Sequence, residues 1–437
     1  WDIRRVQADL LADNYYGEFR NLCNQYGLVS YCEPYDRGPM EELQIGSRVD
    51  GVMGEFWNGL SAIFQNNLMM RRTAKLASSI AHINGQKIVG AEAYTSEPES
   101  GRWQEYPFAL KAVGDKAFTE GINRMVIHRY AMQPHPDAAP AMTLGPWGIH
   151  FDRTNTWWEP GCAWINYLNR CQTLLQEGLF VADFAYFTGD NIVGYTKVHR
   201  RDLNPVPPEG YDYDLMNTET LLNRAWVERG RLRLPDGMNY RVLVLQEQSH
   251  ITLGLLRKLR NMVEQGLIIV GARPQQTVGL QSYSVIEEKE FEQLCDELWG
   301  KAATTVVDRS VGKGRIFWET SLNLEQVLEK IQLRPDFEVS TDSISAPIRY
   351  IHRQIGESDV YFVANQQRTS KELICNFRVK GKIPEFWNPI SGERTRAMVY
   401  QTNEETISVP VQLEAYGSVF VVFRSDLPEQ KAIRSIH

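Results

Sequence analysis

The fold is decided by three neighbouring segments, GQKIVGAEAYTS (residues 85–96), GINRMVIHRY (121–130) and GIHFDRTNTWWEPGCAWINYLNRC (148–171). In each segment, a short apolar stretch typical of a strand ends in a polar side chain, first Glu92, then His128 and then Asp152. Glu159 follows soon after Asp152. Because catalytic groups gather at the carboxyl ends of the strands in a parallel barrel, we expect these side chains to lie close together.

Predicted strands alternate with predicted helices in the first third of the chain. Short apolar stretches predict strands at residues 27–34, 49–57, 87–96 and 123–130. The stretch NNLMMRRTAKLASSIAHIN (66–84) has apolar positions at helical spacing. Such repeated units predict parallel strands joined by crossover helices, and a closed (β/α)8 barrel needs eight of them. Only four or five are present, so the sequence predicts a partial TIM-like barrel.

The chain starts within this pattern. Trp1 opens the segment WDIRRVQADLLADNYYGEFRNLCNQYG (1–27), which has the pattern of a helix and lacks the features of a secretory leader. We therefore expect the first barrel strands to precede residue 1, in a missing N-terminal part of the same protein.

The pattern changes after a helix predicted at 159–177, with Pro160 in its first turn and Gly178 at its end. Beyond it, strand-like and helix-like segments predict an open, doubly wound α/β sheet. From about residue 335 onward, alternating polar and apolar residues predict an antiparallel β domain. The predicted fold class is thus α/β with three domains: the C-terminal part of a (β/α) barrel over 1–172, a flavodoxin- or amidotransferase-like accessory domain over 173–330, and a β-sandwich-like domain over 331–437.

Composition excludes several classes of protein. A formal net charge of −7 without clustered Lys and Arg argues against a nucleic-acid partner. No apolar run approaches the ~20 residues that a membrane helix requires. The six cysteines form no CxxC pair, which argues against a structural zinc site and predicts free thiols. The second predicted domain lacks both GxGxxG and GxxxxGK, so we expect no nucleotide site there.

Two glutamates stand where a carbohydrate-cleaving barrel would need them. Breaking a glycosidic bond takes one carboxyl that protonates the leaving oxygen and a second that activates water or attacks the sugar. Glu33 ends a predicted strand just before Pro34, and Glu159 follows Trp157 and Trp158. Each has a structural alternative: Glu33 could be a solvated loop acid or part of a salt bridge, and Glu159 could be a first-turn acid on the helix dipole.

Other residues are candidates for binding a sugar. Glu55 and Glu92 lie in apolar strands, where they could equally form ion pairs, with Arg129 as a partner for Glu92. Asp152 and Arg153 offer acceptors and donors that suit adjacent hydroxyls, or they pair with each other. The full set of substrate-binding candidates is Glu55, Glu92, His128, Tyr130, Trp147, Asp152, Arg153, Trp157 and Trp158.

These segments resemble glycoside hydrolase family 106, the α-L-rhamnosidases. The resemblance rests on AEAYTS (91–96), YPFALKAVGDKAFTEGINRMVIHRYAMQP (106–134) and GPWGIHFDRTNTWWEPGCAWINYLNRCQTLLQEGLFVAD (145–183), and it covers roughly residues 25–190. The later segments resemble the accessory domains of that family and also those of family 42 β-galactosidases.

The resemblance implies a glycosidase that removes terminal α-L-rhamnose with inversion, using two glutamates and a calcium ion near the sugar. It implies Glu33 as the general acid and Glu159 as the base, about 6.5–9.5 Å apart. No spacing in the sequence identifies calcium ligands. The resemblance also implies a role in polysaccharide degradation, a periplasmic or secreted location, and a barrel that is complete only with the missing N-terminal part.

Two other functions stay open. A retaining β-galactosidase-like enzyme would use Glu33 with an acid on a later strand, but the fourth strand ends in His128, Arg129 and Tyr130 instead. A non-catalytic carbohydrate-binding fragment would keep the aromatic residues and need no acid pair.

Overall fold

The structure of the chain is a computed structural model that describes residues 1–35, 38–58, 68–99, 101–143, 145–190, 195–246, 249–280, 284–301, 306–319, 323–340 and 348–425. These residues form a mixed α/β fold with several sheets, as the sequence predicts. None of the helices in these ranges combines the length and the apolar character that a membrane crossing requires.

The helices lie mainly in the first three quarters of the chain. In chain order they are α1 (Asp2–Leu11), a π-helical turn (Ala12–Gly17), α2 (Glu18–Gln25), α3 (Glu42–Ser47), α4 (Leu68–Asn84), α5 (Pro107–Thr119), α6 (Cys162–Leu175), a 3₁₀ turn (Arg200–Asp202), α7 (Thr218–Asn223), α8 (Leu253–Gln265), α9 (Val285–Trp299) and α10 (Leu324–Lys330).

The strands belong to five sheets. In chain order they are β1 (Tyr31–Cys32), β2 (Gly51–Asn58), β3 (Val89–Ser96), β4 (Arg124–Ile127), β5 (Leu179–Phe180), β6 (Phe184–Phe187), β7 (Tyr213–Met216), β8 (Trp226–Glu228), β9 (Arg231–Arg233), β10 (Asn239–Tyr240), β11 (Val242–Leu245), β12 (Ile268–Val270), β13 (Val306–Val311), β14 (Gly314–Glu319), β15 (Phe337–Ser340), β16 (Ile348–Ile355), β17 (Ser358–Asn365), β18 (Lys371–Phe377), β19 (Ile383–Trp387), β20 (Arg394–Arg396), β21 (Gln401–Thr402), β22 (Ile407–Leu413) and β23 (Ser418–Arg424).

The chain divides into two compact units, each assembled from three separate stretches. The first unit comprises Trp1–Val52, Leu76–Gln86 and Val181–Arg334. The second comprises Met53–Lys75, Lys87–Phe180 and Pro335–His437. The division into three consecutive domains stays a prediction.

Strands β1 to β4 form a sheet in chain order, and the pairs β1–β2 and β3–β4 are parallel. Consecutive strands are neighbours in the same way in a (β/α) barrel, and the closed barrel itself stays a prediction. The predicted strand at 27–34 is too long, since β1 has only two residues. The reason is local, because the backbone N–H of Ser30 donates to the carboxylate of Asp50 at 2.8 Å instead of to a neighbouring strand.

The first unit contains the predicted doubly wound sheet. Its six strands lie in the order β13-β14-β12-β11-β6-β7. All neighbours are parallel except the β13–β14 hairpin. The first strand of this sheet along the chain, β6, lies next to one edge, and β7 forms that edge. The later strands β11, β12 and β14 are added in turn on the other side of β6. This is the flavodoxin-like order, and the completely buried strands β6, β7 and β11 fit a sheet covered on both faces.

The second unit contains the predicted antiparallel β region as two sheets, ordered β15-β18-β22-β21 and β20-β19-β23-β17-β16-β5. One hydrophobic core joins their inner faces, with Leu373, Cys375 and Phe377 from one sheet and Tyr361 and Phe423 from the other. The alternation of Leu373, Cys375 and Phe377 along β18 is that of a strand with one buried face. The two sheets therefore pack as a sandwich.

The segment 179–187, which falls within the predicted accessory domain at 173–330, forms two strands in different sheets. Strand β5 pairs with β16 through Phe180 and Arg353, whereas β6 lies in the doubly wound sheet. Gly178 lets the chain approach β16 closely at the start of β5. It has φ 65°, and a Cβ there would lie 2.1 Å from the carbonyl oxygen of Gln354. The Arg353 guanidinium then donates to the carbonyl oxygen of Gly178 at 2.8 Å.

A buried histidine lies between two carboxylates in the second unit. His352 Nδ1 is 3.0 Å from Asp336 Oδ2, and its Nε2 is 3.1 Å from Asp359 Oδ1. Burial lowers the pKa of His352, but the charge and hydrogen bonds of Asp336 and Asp359 outweigh it and raise the pKa to about 9. His352 is therefore a cation at neutral pH, held by two anions.

We expect the second unit to lose stability as the pH rises through about 9. The folded pKa of His352 exceeds the ~6.5 of an unfolded histidine, so its stabilisation is complete below about pH 6.5 and is lost above the folded pKa. The loss in free energy of unfolding should be on the order of 1–3 kcal/mol, measured by urea unfolding at about pH 6 and about pH 10. In His352→Gln the difference between the two pH values should shrink, and an undiminished difference would contradict the assignment.

Candidate active site

Strand β2 has one face toward a helix and one open face. A Cβ on Gly54 would lie 2.6 Å from the backbone oxygen of Thr73 in α4, so Gly54 belongs to the helix side. Because side chains alternate along a strand, Glu55 and Trp57 lie on the opposite, open face. There Trp57 Nε1 donates to Glu55 Oε2 at 2.9 Å.

Glu92 lies on the open face of β3. It pairs with Val126 of β4, and directly paired residues share a face of the sheet. Val126 is 48% exposed, so this face of the sheet is open at that position. Right-handed crossovers place α4 and α5 on the same side of the sheet, so Glu55 and Glu92 are on the same open face of neighbouring strands.

An irregularity in β3 determines where its acid points. Tyr94 has φ 65°, a left-handed conformation that is rare for a bulky residue, and its side chain is fully buried. Thr95 Oγ1 donates to Glu92 Oε1, although residues three apart on a regular strand point to opposite faces. The irregularity at Tyr94 shifts the alternation as a bulge does, and it places Thr95 beside Glu92.

His128 follows β4 and faces Glu92, with 3.9 Å between His128 Nδ1 and Glu92 Oε1. Burial lowers the pKa of His128, Glu92 raises it and Arg129 lowers it again, and the net effect is a lowered pKa. The imidazole is therefore neutral at pH 7 and can both donate and accept a hydrogen bond.

Sequence reasoning missed a buried acid, Glu105, which is only 6% exposed. Its Oε1 accepts hydrogen bonds from Asn58 Nδ2 at the end of β2, at 2.6 Å, and from Ser96 Oγ at the end of β3. Burial raises the pKa of Glu105 to about 7, and these two hydrogen bonds oppose the rise. Small polar residues at two strand ends were the available signal, whereas Glu105 itself stands in an irregular segment with no pattern of its own.

The segment around Glu159 is a turn and not the start of a helix. The predicted helix at 159–177 begins only at Cys162, with Gly161 as its N-cap. Gly161 N instead donates to the carbonyl oxygen of Trp158, and Glu159 is exposed. The alternative of a first-turn acid on the helix dipole is therefore wrong.

The two tryptophans before Glu159 are partly buried in an aromatic cluster. The Phe151 ring centroid is 5.8 Å from that of Trp157 and 5.0 Å from that of Trp158. Trp157 Nε1 also donates to the backbone oxygen of Glu105 at 2.7 Å. These contacts hold the segment that carries Glu159.

Asp152 and Arg153 have partners within the chain. Asp152 is buried, and its oxygens accept hydrogen bonds from Thr154 N at 2.8 Å and Gln133 Nε2 at 3.1 Å. Arg153 Nη2 donates to the backbone oxygen of Gln133 at 3.2 Å. These contacts favour a structural role for Asp152, and sugar binding by the two residues stays a prediction.

The more exposed aromatic side chains lie elsewhere. Tyr130 is 60% exposed and Trp147 is 44% exposed, so both have free faces on which a sugar ring can stack. Trp103 stacks on His150 at 3.9 Å, and both have left-handed backbones, with φ 59° and 47°. Strained backbone conformations of this kind concentrate at functional sites in proteins. No pattern in the sequence predicts them at Trp103 and His150.

Glu33 belongs to the first unit. It is exposed and directly follows Cys32, which pairs with Val52. The position of Glu33 after a strand agrees with the prediction. The distance between Glu33 and Glu159, which belongs to the second unit, stays a prediction. The structure thus brings Glu92 together with His128, and Glu105 together with the segment of Trp157.

The chain matches the model of glycoside hydrolase family 106, described as α-L-rhamnosidase, over residues 1–402. It therefore belongs to this family of glycoside hydrolases. It is also similar to a curated protein of Formosa agariphila named "Putative beta-glucuronidase", with 37% identity over the whole chain and 35% of that protein.

Two solved structures are similar to this one. The rhamnosidase of Novosphingobium sp. PP1Y is 31% identical with a TM-score of 0.88, over 100% of this chain and 41% of that chain. A family 42 β-galactosidase, Gan42B of G. stearothermophilus, is 10% identical with a TM-score of 0.60, over 96% and 67% of the two chains, and this shows a shared fold alone. The chain thus spans 35% of the Formosa agariphila protein and 41% of the Novosphingobium rhamnosidase, which is less than half of either.

Gly114 in α5 holds the irregular strand in place, so we expect Gly114→Ala to destabilise the second unit. A Cβ there would lie 2.1 Å from Tyr94 Oη and would displace the buried ring, at about 1–3 kcal/mol in free energy of unfolding. Gly254 in α8 is the matched control, because a Cβ there meets nothing within 4 Å. Gly254→Ala should leave the urea midpoint unchanged or raise it, and equal effects of both substitutions would contradict this role of Gly114.

Proposed function

We propose that the whole protein removes terminal α-L-rhamnose from glycans with inversion at the anomeric carbon. The observation that carries the proposal is the open face of β2, β3 and β4, which presents Glu55, Glu92 and His128 in a chain of the α-L-rhamnosidase family. Carboxylate and imidazole groups are suited to the hydroxyls of a sugar. A role in polysaccharide degradation is part of the same proposal.

The proposed mechanism uses Glu33 as general acid and Glu159 as general base. Glu159 takes a proton from a water molecule whose oxygen attacks the anomeric carbon. The glycosidic bond breaks as Glu33 gives its proton to the leaving oxygen, so an α-rhamnoside yields β-rhamnose. The exposure of Glu159 on a turn and of Glu33 after a strand supports the assignment.

The sugar itself would be held by the open face. Glu55 and Glu92 would accept hydrogen bonds from ring hydroxyls, and His128 would bond a further hydroxyl. Tyr130 and Trp147 offer aromatic faces for stacking.

A β-glycosidase is the second candidate. The name of the Formosa agariphila relative and the fold shared with family 42 favour it. It would retain configuration through a glutamate nucleophile, with the two carboxyls about 5 Å apart. A non-catalytic carbohydrate-binding fragment is the third possibility.

We further propose that a preceding part of the same protein completes the barrel. An apolar stripe runs along α1, the π-helical turn and α2, and its members are exposed: Ile3, Val6, Leu10, Tyr15, Phe19, Leu22 and Tyr26. The five-residue step from Leu10 to Tyr15 coincides with the π-helical turn, whose extra residue keeps the stripe on one face. Such a face is typical of a helix that packs against a neighbour.

Calcium and a periplasmic or secreted location also stay proposals. In the described ranges, no group of three or more His, Cys, Asp or Glu side chains is placed to hold a metal ion. No step of the mechanism is assigned to the ion.

The function is tested by hydrolysis of an aryl α-L-rhamnoside by the full-length protein, with the product anomer followed by NMR. We expect β-rhamnose as the first product. Glu33→Gln and Glu159→Gln should each lower kcat by roughly 10²–10⁴-fold, as expected for the loss of general acid or base catalysis. The exposed Glu372→Gln in β18 is the control and should retain activity.

Other outcomes would replace the proposal. An α-configured first product would contradict inversion, whereas hydrolysis of β-glycosides alone would favour the β-glycosidase-like enzyme. No release from a panel of aryl glycosides, together with sugar binding that survives both substitutions, would favour the binding fragment.

A further inference from the structure

Glu105 joins three segments that border the open face. Its carboxyl group accepts hydrogen bonds from Asn58 at the end of β2 and Ser96 at the end of β3, and its backbone oxygen accepts one from Trp157 Nε1. Trp157 lies two residues before Glu159. Glu105 therefore links the segment of the Glu159 turn to the ends of β2 and β3.

The surroundings of Glu105 suit a neutral carboxylic acid. Oε1 accepts both side-chain hydrogen bonds, and the buried Oε2 has no hydrogen-bond partner in the ranges that the structure describes. A carboxylate with this burial would need a cation or further donors to replace its hydration. A proton on Oε2 removes that need and leaves Oε1 free to accept.

The charged groups on the surrounding elements have other neighbours. On β2, Glu55 accepts from Trp57, and on β3, Glu92 accepts from Thr95. In the loops, Asp152 accepts from Thr154, Arg102 Nε donates to the carbonyl oxygen of Pro98, and Glu159 is exposed. The charge state of Glu105 is therefore governed mainly by its burial.

We propose that Glu105 is a positioning residue, which in its protonated form fixes the segment of Trp157 and Glu159 against the ends of β2 and β3. This proposal deepens the proposed function, and its effect on catalysis rests on that function. The structural effect does not depend on it, because ionisation of Glu105 should loosen the contact with Trp157 whether or not a sugar is cleaved. Since the pKa of Glu105 is about 7, this loosening should occur as the pH rises through neutrality.

The structural content is tested on this 437-residue chain with ¹⁵N-labelled tryptophan. The Trp157 indole N–H signal, assigned with Trp157→Phe, should move with pH with a midpoint near 7 in the wild type. In Glu105→Gln, which keeps an acceptor and cannot ionise, the signal should stay constant. Glu99→Gln, an exposed change in the same loop, should titrate like the wild type. A constant wild-type signal between pH 5 and 9, or the same titration in Glu105→Gln, would overturn the proposal.

The catalytic consequence is tested in the full-length enzyme. At pH 6, Glu105→Gln should keep kcat within about threefold of the wild type, whereas Glu105→Ala should lose at least tenfold. Equal losses in the two variants would overturn the positioning role. If the Trp157 signal titrates as expected but no rhamnoside is cleaved by the wild type, the proposed function fails and the structural content of this inference stands.

Discussion

The left-handed conformation of Tyr94 within β3 is the constraint on which the arrangement of the open face depends. A bulky residue adopts φ 65° only where the surrounding packing stabilises that backbone conformation. Here the buried Tyr94 ring packs against α5, in which residue 114 is a glycine. The shifted alternation puts Thr95 beside Glu92, and Ser96 meets Glu105 one residue later. One backbone angle thus sets the direction of the polar groups at the end of the strand.

Much of the fold follows from apolar patterns in the sequence. The predictions at 49–57 and 87–96 agree with β2 and β3 to within two residues. The doubly wound sheet and the antiparallel sandwich were also predictable, since completely apolar strands and alternating strands have different patterns. The family was predictable for a different reason, because whole segments of the sequence resemble those of its members.

The details of the site were less predictable because they depend on contacts between distant segments. Glu105 has no local pattern, and only its burial between β2 and β3 makes it an acid that is half protonated near neutral pH. The predicted start of α6 at Glu159 was three residues too early, because a proline such as Pro160 favours turns as well as the first turn of a helix. Strand β5 belongs to the antiparallel sandwich because it pairs with β16, which is some 170 residues away along the chain. The local sequence does not indicate a pairing over this distance.

We propose that two glutamates act across a water molecule on a rhamnose ring held by the open face. The most direct measurement is a crystal structure of the full-length Glu159→Gln variant with an uncleaved α-L-rhamnoside. We expect the side-chain carboxyl and carboxamide groups of residues 33 and 159 to lie about 6.5–9.5 Å apart on opposite sides of the anomeric carbon, with sugar hydroxyls bonded to Glu55 or Glu92. A separation of about 5 Å, or a sugar bound away from either residue, would contradict it.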